Sequence, residues 1–114
     1  MTIIRDHIDL TELVTLAEGR FGDLVKAVVD VKRGIMAVGS ELHADDEAAL
    51  LDDGSHQADL WGINLYPADY GQPGWLEFDS MINVRPSVGN RSRSVEDASV
   101  RERIAAIVGG MVIR

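Results

Sequence analysis

The 114-residue chain contains no cysteine, which excludes a disulfide framework, a thiolate metal site and a cysteine nucleophile. It has only three histidines, at positions 7, 43 and 56, so little material exists for a histidine-based metal cluster. The longest apolar run is far shorter than a membrane span. The first residues lack the charged and apolar regions of a signal peptide. We therefore expect a cytoplasmic protein that does not enter a membrane.

Recognisable catalytic and cofactor motifs are also missing. The chain has no Ser-His-Asp spacing, no glycine-rich nucleotide fingerprint and no paired-cysteine motif. We therefore expect no cofactor. At 12.4 kDa and 46% hydrophobic residues, the chain is large enough for one core, and we expect a single domain over residues 1–114.

Acidic residues dominate the charge. There are 19 Asp and Glu against 11 Lys and Arg, giving a net charge of -8. A phosphate backbone would be repelled, so the composition argues against general nucleic-acid binding. Six of the 11 basic residues nevertheless lie from Arg85 onward. This local basic region suits either internal ion pairs or the recognition of a small anion or an acidic partner.

Hydrophobic periodicity predicts the order helix, strand, strand, helix, strand, strand, helix. The first helix follows Asp9 as N-cap, and the last begins at Ser94 or Asp97 and ends near Gly109-Gly110. Val25 to Val31 and Ile35 to Ser40 are predicted to form a hairpin whose two-residue turn is Arg33-Gly34. That register places Val31 opposite Met36, Val29 opposite Val38, and Lys26 opposite Glu41.

Strand pairs connected in this way predict a mainly antiparallel, four-stranded sheet with helices on one face. The fold class is thus α+β in two layers, and the second face of the sheet is left open to water, a ligand or another subunit.

The segment Trp75 to Arg85 is predicted to be the fourth strand, because its residues alternate between apolar and polar. Its apolar set is expected to share the core face with Val29, Val31, Met36 and Val38; the set comprises Leu76, Phe78, Ile82 and Val84. Asp79, Asn83 and Arg85 then point to the open face, although Asp and Asn are poor strand formers. Residues that break a local propensity rule are often retained for function.

Several blocks of the sequence resemble a family of short uncharacterised proteins from bacteria and archaea, a domain of unknown function. The blocks span nearly the whole chain, and they include Phe21-Gly22-Asp23, Leu60 to Pro67, Glu77 to Asn83, Arg85-Pro86-Ser87 and Gly89 to Arg93. The resemblance implies a small stand-alone prokaryotic protein and supplies no activity, substrate or catalytic residue.

Polar residues on and after the predicted fourth strand form the candidate ligand site. Carboxylates and amides beside an arginine can hold a polar ligand, and Arg91 and Arg93 precede a helix N-terminus that would suit a phosphate or carboxylate. The alternatives are an ordinary solvated sheet face and a structural cap in which Glu96 and Asp97 occupy the helix N-terminus. The candidate ligand-binding residues are Asn64, Asp79, Asn83, Arg85, Asn90, Arg91 and Arg93.

Glu41, His43 and Asp45 alternate along one short segment. If the segment is extended, all three face one way and could ligate a divalent metal. If a helix begins earlier, they diverge and act as polar strand-end and helix-capping residues. We predict that no metal binds there tightly.

Two functions remain open from the sequence. One is a small binding or interaction protein, with a homo-oligomer as one form, that recognises an anionic small ligand or a protein partner on the open sheet face. The alternative is a small hydrolase or lyase that uses Asp79 or His43.

Overall fold

The computed structural model describes residues 1–114 and contains three α-helices, seven strands and several short 3₁₀ turns. The helices are α1 (Leu10–Glu18), α2 (His43–Asp52) and α3 (Ala98–Met111). The strands are β1 (Thr2–Ile4), β2 (Ile8–Asp9), β3 (Val25–Asp30), β4 (Ile35–Val38), β5 (Leu60–Leu65), β6 (Leu76–Glu77) and β7 (Val112–Ile113).

The main sheet has five strands in the order β1-β4-β3-β5-β6, and every neighbouring pair is antiparallel. The α+β class and the antiparallel sheet are thus confirmed, whereas the predicted number of four strands is wrong. The fifth strand is β1, which adds to the edge of β4. A separate parallel pair, β2 and β7, ties the beginning of the chain to its end.

Helices cover both faces of the sheet, so the predicted open face does not exist. Alternate residues of β3 belong to different clusters, because side chains alternate across a strand. Val29 packs with Leu13 of α1 and Ile104 of α3 in the larger core. Val28 packs with Leu50 of α2 in the smaller core on the opposite face. The molecule therefore has three layers rather than two.

The β3–β4 hairpin has a longer loop than predicted. Val29 pairs with Met36 and Asp30 with Ile35, so four residues connect the strands. The buried Asp30 carboxylate explains the loop, because its Oδ1 accepts hydrogen bonds from the backbone nitrogens of Lys32 and Arg33, each at 2.9 Å. The register differs from the prediction by two residues, which preserves the faces. The predicted Lys26–Glu41 pair is wrong.

The predicted fourth strand from Trp75 to Arg85 ends at Glu77. Beyond it, Ser80 begins a short 3₁₀ turn at Met81–Asn83, and its hydroxyl accepts a hydrogen bond from the nitrogen of Ile82. The alternation therefore breaks. Leu76 and Phe78 pack on the larger core, whereas Ile82 packs on the smaller one, so these residues do not share a single face.

The last helix begins at one of its two predicted start positions, but it ends later than predicted. Asp97 is its N-cap, and the Asp97 carboxylate accepts hydrogen bonds from Ser99 and Val100. The helix continues through Gly109 and Gly110 to Met111, since the buried Met111 anchors its last turn. None of the three helices combines the length and apolar character needed to cross a bilayer.

Candidate functional site

The residues predicted for an open face lie instead in a polar segment, residues 78–95, that continues from β6 across the edge of β5. Asn83 is fully buried, and its side chain takes the place of a neighbouring strand. Its Oδ1 accepts a hydrogen bond from the nitrogen of Gly62 at 2.8 Å, and its Nδ2 donates to the oxygen of Gly62 at 2.9 Å. All of these hydrogen bonds of the Asn83 side chain are made to backbone groups within the protein.

Asn90 organises the loop that precedes α3. Its Nδ2 donates to the carbonyl oxygens of Asn83 at 2.7 Å and Ser94 at 2.8 Å, and its Oδ1 accepts from the nitrogen of Glu96 at 2.9 Å. Glu96 in turn accepts from the backbone nitrogens of Arg91 and Ser92, and these bonds lower the pKa of Glu96. The loop is thus held by hydrogen bonds from the side chains of Asn90 and Glu96 to backbone groups, which is the kind of arrangement that the structural-cap alternative described.

Arg85 is half-buried and bonds to backbone oxygen rather than to a ligand position. Its guanidinium donates to the carbonyls of Gln57 at 2.5 Å and Leu60 at 2.6 Å, and it lies 4.3 Å from the ring centroid of Trp61. Burial lowers the pKa of Arg85. These contacts hold the 78–95 segment against the start of β5.

Asn64, Asp79 and Arg93 come together, whereas Arg91 does not join them. The Nδ2 of Asn64 donates to Glu77 at 2.8 Å and to the backbone oxygen of Asp79 at 3.2 Å. The Oδ1 of Asp79 accepts from Nε of Arg93 at 2.6 Å. The Oδ1 of Asn64 is buried without a hydrogen-bond partner. The exposed Arg91 side chain makes no such contact.

Glu41, His43 and Asp45 diverge, because α2 begins at His43. His43 is buried, Asp45 is exposed, and Glu41 forms a 3.6 Å ion pair with Arg20. No group of three or more His, Asp or Glu side chains is arranged to hold a metal ion.

A cleft of about 180 Å³ opens where the first turn of α2 faces the 78–95 segment. We call it the cationic cleft. Lys26 of β3 and Arg93 supply its positive charge, and His43 is its buried imidazole. Its apolar walls include Leu42 and Met81, both exposed to solvent at 57% and 64%. The complete lining is Lys26, Leu42, His43, Ala44, Ser80, Met81, Ile82 and Arg93.

His43 is fixed in one orientation by its hydrogen bond to the backbone. Its Nε2 lies 2.8 Å from the carbonyl oxygen of Ile63, which can only accept, so Nε2 carries the proton. Burial is the main cause of a lowered pKa for His43, and the charge of Lys26 acts in the same direction. The ring is therefore driven toward its neutral form, in which Nδ1 is a hydrogen-bond acceptor.

The cations of the cleft are not neutralised in full. Lys26 forms no ion pair and its Nζ lies 5.0 Å from the ring centroid of Phe21. Arg93 bonds to Asp79 through Nε alone, which leaves its terminal nitrogens without a partner. The Arg93 backbone is held firmly, because its carbonyl accepts hydrogen bonds from Ser80 and Asn83, each at 3.0 Å.

A comparison with protein-family models matches residues 2–111 to the family described as Protein of unknown function (DUF5674). The chain belongs to the DUF5674 family. No curated protein and no solved structure matches it. The resemblance noted in the sequence is confirmed at the level of a domain of unknown function.

Sequence reasoning singled out two residues of the cleft lining of this DUF5674 chain, His43 and Arg93, and placed them in different sites. It missed Lys26, Leu42 and Ser80 as members of one cleft. Lys26 and Asn64 are cross-strand partners on the α2 face, a pairing that requires the β3–β5 register. The sequence signal for Lys26 was a lysine near the start of a mostly apolar strand, which also suits a solvated strand end.

Proposed function

We propose that this protein binds a small organic anion, a carboxylate with a short apolar group, in the cationic cleft. The observation that carries the proposal is the pairing of incompletely neutralised cations with apolar walls, on a chain whose net charge is -8. In such a protein a positive cleft is the place where an anion is attracted rather than repelled. Arg93 offers its terminal nitrogens, and a guanidinium holds a carboxylate through parallel hydrogen bonds.

The size of the cleft supports a small ligand. Its volume of about 180 Å³ lies below the roughly 300–1,000 Å³ typical of pockets for drug-sized molecules. Leu42 and Met81 flank it, so an apolar group on the ligand would cover exposed hydrophobic surface. Each buried methylene contributes about 0.8 kcal/mol, so affinity should rise with the length of that group.

The test compares carboxylates with neutral amides of the same shape by isothermal titration calorimetry at constant ionic strength. Acetate, butyrate and benzoate are paired with acetamide, butyramide and benzamide. We expect the acids to bind, with affinity increasing along the series, and the amides to bind at least about tenfold more weakly. Equal binding of acids and amides, or no binding by either, would contradict the proposal.

Variants locate the binding site. Lys26→Gln and Arg93→Gln should each weaken benzoate binding by about tenfold, because each removes one charge from the cleft. Arg91→Gln is the matched control, since Arg91 is an exposed arginine of the same loop whose side chain lies outside the cleft lining. An equal loss in all three variants would indicate general electrostatic attraction rather than a site.

A catalytic role for His43 is the second candidate, and it rests on the fixed tautomer. With Nε2 bonded to Ile63, Nδ1 is the acceptor nitrogen of the neutral imidazole, the form that can take a proton from a bound substrate or water. Asp79 suits that role less well because it is paired with Arg93. Hydrolysis of p-nitrophenyl butyrate that is lost in His43→Gln, while butyrate still binds, would favour an enzyme. If no turnover is observed, the binding function remains the only proposal for this cleft.

A further inference from the structure

The two edges of the five-stranded sheet differ in how they are covered. Beyond β6, the edge of β5 is closed by the chain itself, because the Asn83 amide bonds to Gly62 and the nitrogen of Ser80 donates to the oxygen of Arg93. At the opposite edge, β1 pairs only with β4, and no further strand lies on its outer side. An uncovered edge presents backbone groups that can pair with another chain.

A hollow of about 310 Å³ lies beside this free edge, between β1, β2 and α1. Ile4, Ile8 and Leu16 form its apolar part, and Thr11 and Thr15 of α1 form its opposite wall. A sheet edge with a side-chain pocket next to it is the arrangement by which proteins bind an extended peptide. The backbone of such a peptide pairs with the edge, and alternate side chains enter the pocket.

The charge of the hollow indicates what kind of peptide fits. Glu12 is the only ionisable residue in its lining, and it makes no ion pair or side-chain hydrogen bond. The nearest cation along β1, Arg5, is already bonded to Asp53 at 2.7 Å. A basic side chain on the incoming strand would therefore meet an unpaired carboxylate beside apolar surface.

We propose that β1 and this hollow bind an extended segment of a partner protein as an added sixth strand. The segment carries apolar side chains into the hollow between Ile4 and Leu16, and a lysine or arginine on the same face meets Glu12. The site is separate from the cationic cleft and has the opposite charge preference.

The test is an NMR titration of ¹⁵N-labelled protein with the capped peptide Thr-Val-Thr-Lys-Thr-Val-Thr, whose valines and lysine share one face of a strand. The changes in amide chemical shift should be concentrated in Thr2–Ile4 and in the wall of the hollow formed by residues 11–16. In two further peptides, alternate backbone nitrogens are methylated. One peptide carries the methyl groups at its odd-numbered residues, and the other carries them at its even-numbered residues. Because only alternate N–H groups face β1, one of the two should bind at least about tenfold more weakly while the other binds normally.

Charge is tested on both partners. Replacing the peptide lysine with glutamate, or Glu12 with Gln, should weaken binding, whereas Glu18→Gln on an exposed position of the same helix should not. The proposal is overturned if both N-methylated peptides bind equally, if the shifts lie elsewhere, or if the peptide does not bind. It is also overturned if sedimentation shows a dimer of this chain whose interface buries β1.

Discussion

Gly62 lies on β5 directly beneath the 78–95 segment, and its lack of a side chain is a packing requirement. A Cβ at this position would stand 2.5 Å from Cβ and 2.6 Å from Oγ of Ser80. We predict that Gly62→Ala lowers the free energy of unfolding by about 1–3 kcal/mol, the usual cost of overpacking. Urea denaturation measures it. Gly74→Ala is the control, because a Cβ there meets nothing within 4 Å. Equal stability of both variants would contradict the prediction.

Asp46 is a buried carboxylate in the first turn of α2, and neither of its side-chain oxygens has a hydrogen-bond partner. Burial raises the pKa of Asp46 from 3.8 to about 6, an effect that nearby Ser40 only partly offsets. The folded state therefore holds this proton more tightly than the unfolded chain does. Its stabilising contribution is complete below the unfolded pKa and is lost as pH rises through the folded pKa.

We predict that the free energy of unfolding of the parent contains a term that falls by up to about 3 kcal/mol between pH ~4 and pH ~7. Asp46→Asn removes that term and should be more stable than the parent at neutral pH. Urea denaturation across this pH range measures both proteins. Asp45→Asn, at the exposed neighbouring position, should retain the pH dependence of the parent. Parallel pH profiles for the parent and Asp46→Asn would show that Asp46 is ionised without cost.

At the scale of elements, the 78–95 segment is an irregular layer that two buried amides hold in place. Asn83→Ala would leave both backbone groups of Gly62 without their present partner, whereas the oxygen of Arg93 would keep its hydrogen bond from Ser80. Each unsatisfied buried polar group costs about 1–3 kcal/mol, so we predict a loss of about 2–6 kcal/mol in chemical denaturation. Asn64→Ala should cost less, since one of its side-chain atoms has no partner to lose. The reverse order would contradict this assignment.

The same segment shows why part of the fold was not predictable. The alternation from Trp75 to Arg85 is typical of a strand. The strand ends early because the side chains of Ser80 and Asn83 bond to backbone groups. The absence of a side chain at Gly62 leaves room for Ser80 to pack there. From strand propensity we expected Asp79 and Asn83 to be poorly suited to a strand, and we interpreted them as functional residues. The side chain of Asn83 bonds to Gly62 of β5, 21 residues earlier, and that of Asp79 bonds to Arg93, 14 residues later, so only the tertiary structure reveals these partners.

At the scale of the whole molecule, the sequence predicted the three helices and the antiparallel sheet, because their apolar periods are strong. It did not predict that helices cover both faces. Val28, Ile35 and Ala37 are apolar residues on the second face, and they pack with Leu50 of α2. A strand that is apolar on both sides indicates burial on both faces, and β3 and β4 carry that signal. The candidate site therefore moved from a sheet face to the cationic cleft at the edge of α2.

The most direct test of the cationic cleft is the titration of His43 followed by NMR. A carboxylate bound beside the ring would favour its protonated form, so butyrate at saturation should raise the pKa of His43, and butyramide should not. His7 and His56 are exposed and serve as internal references in the same spectra. The account predicts a butyrate-dependent shift confined to His43. An unchanged His43 titration, or the same shift with butyramide, would contradict anion binding in this cleft.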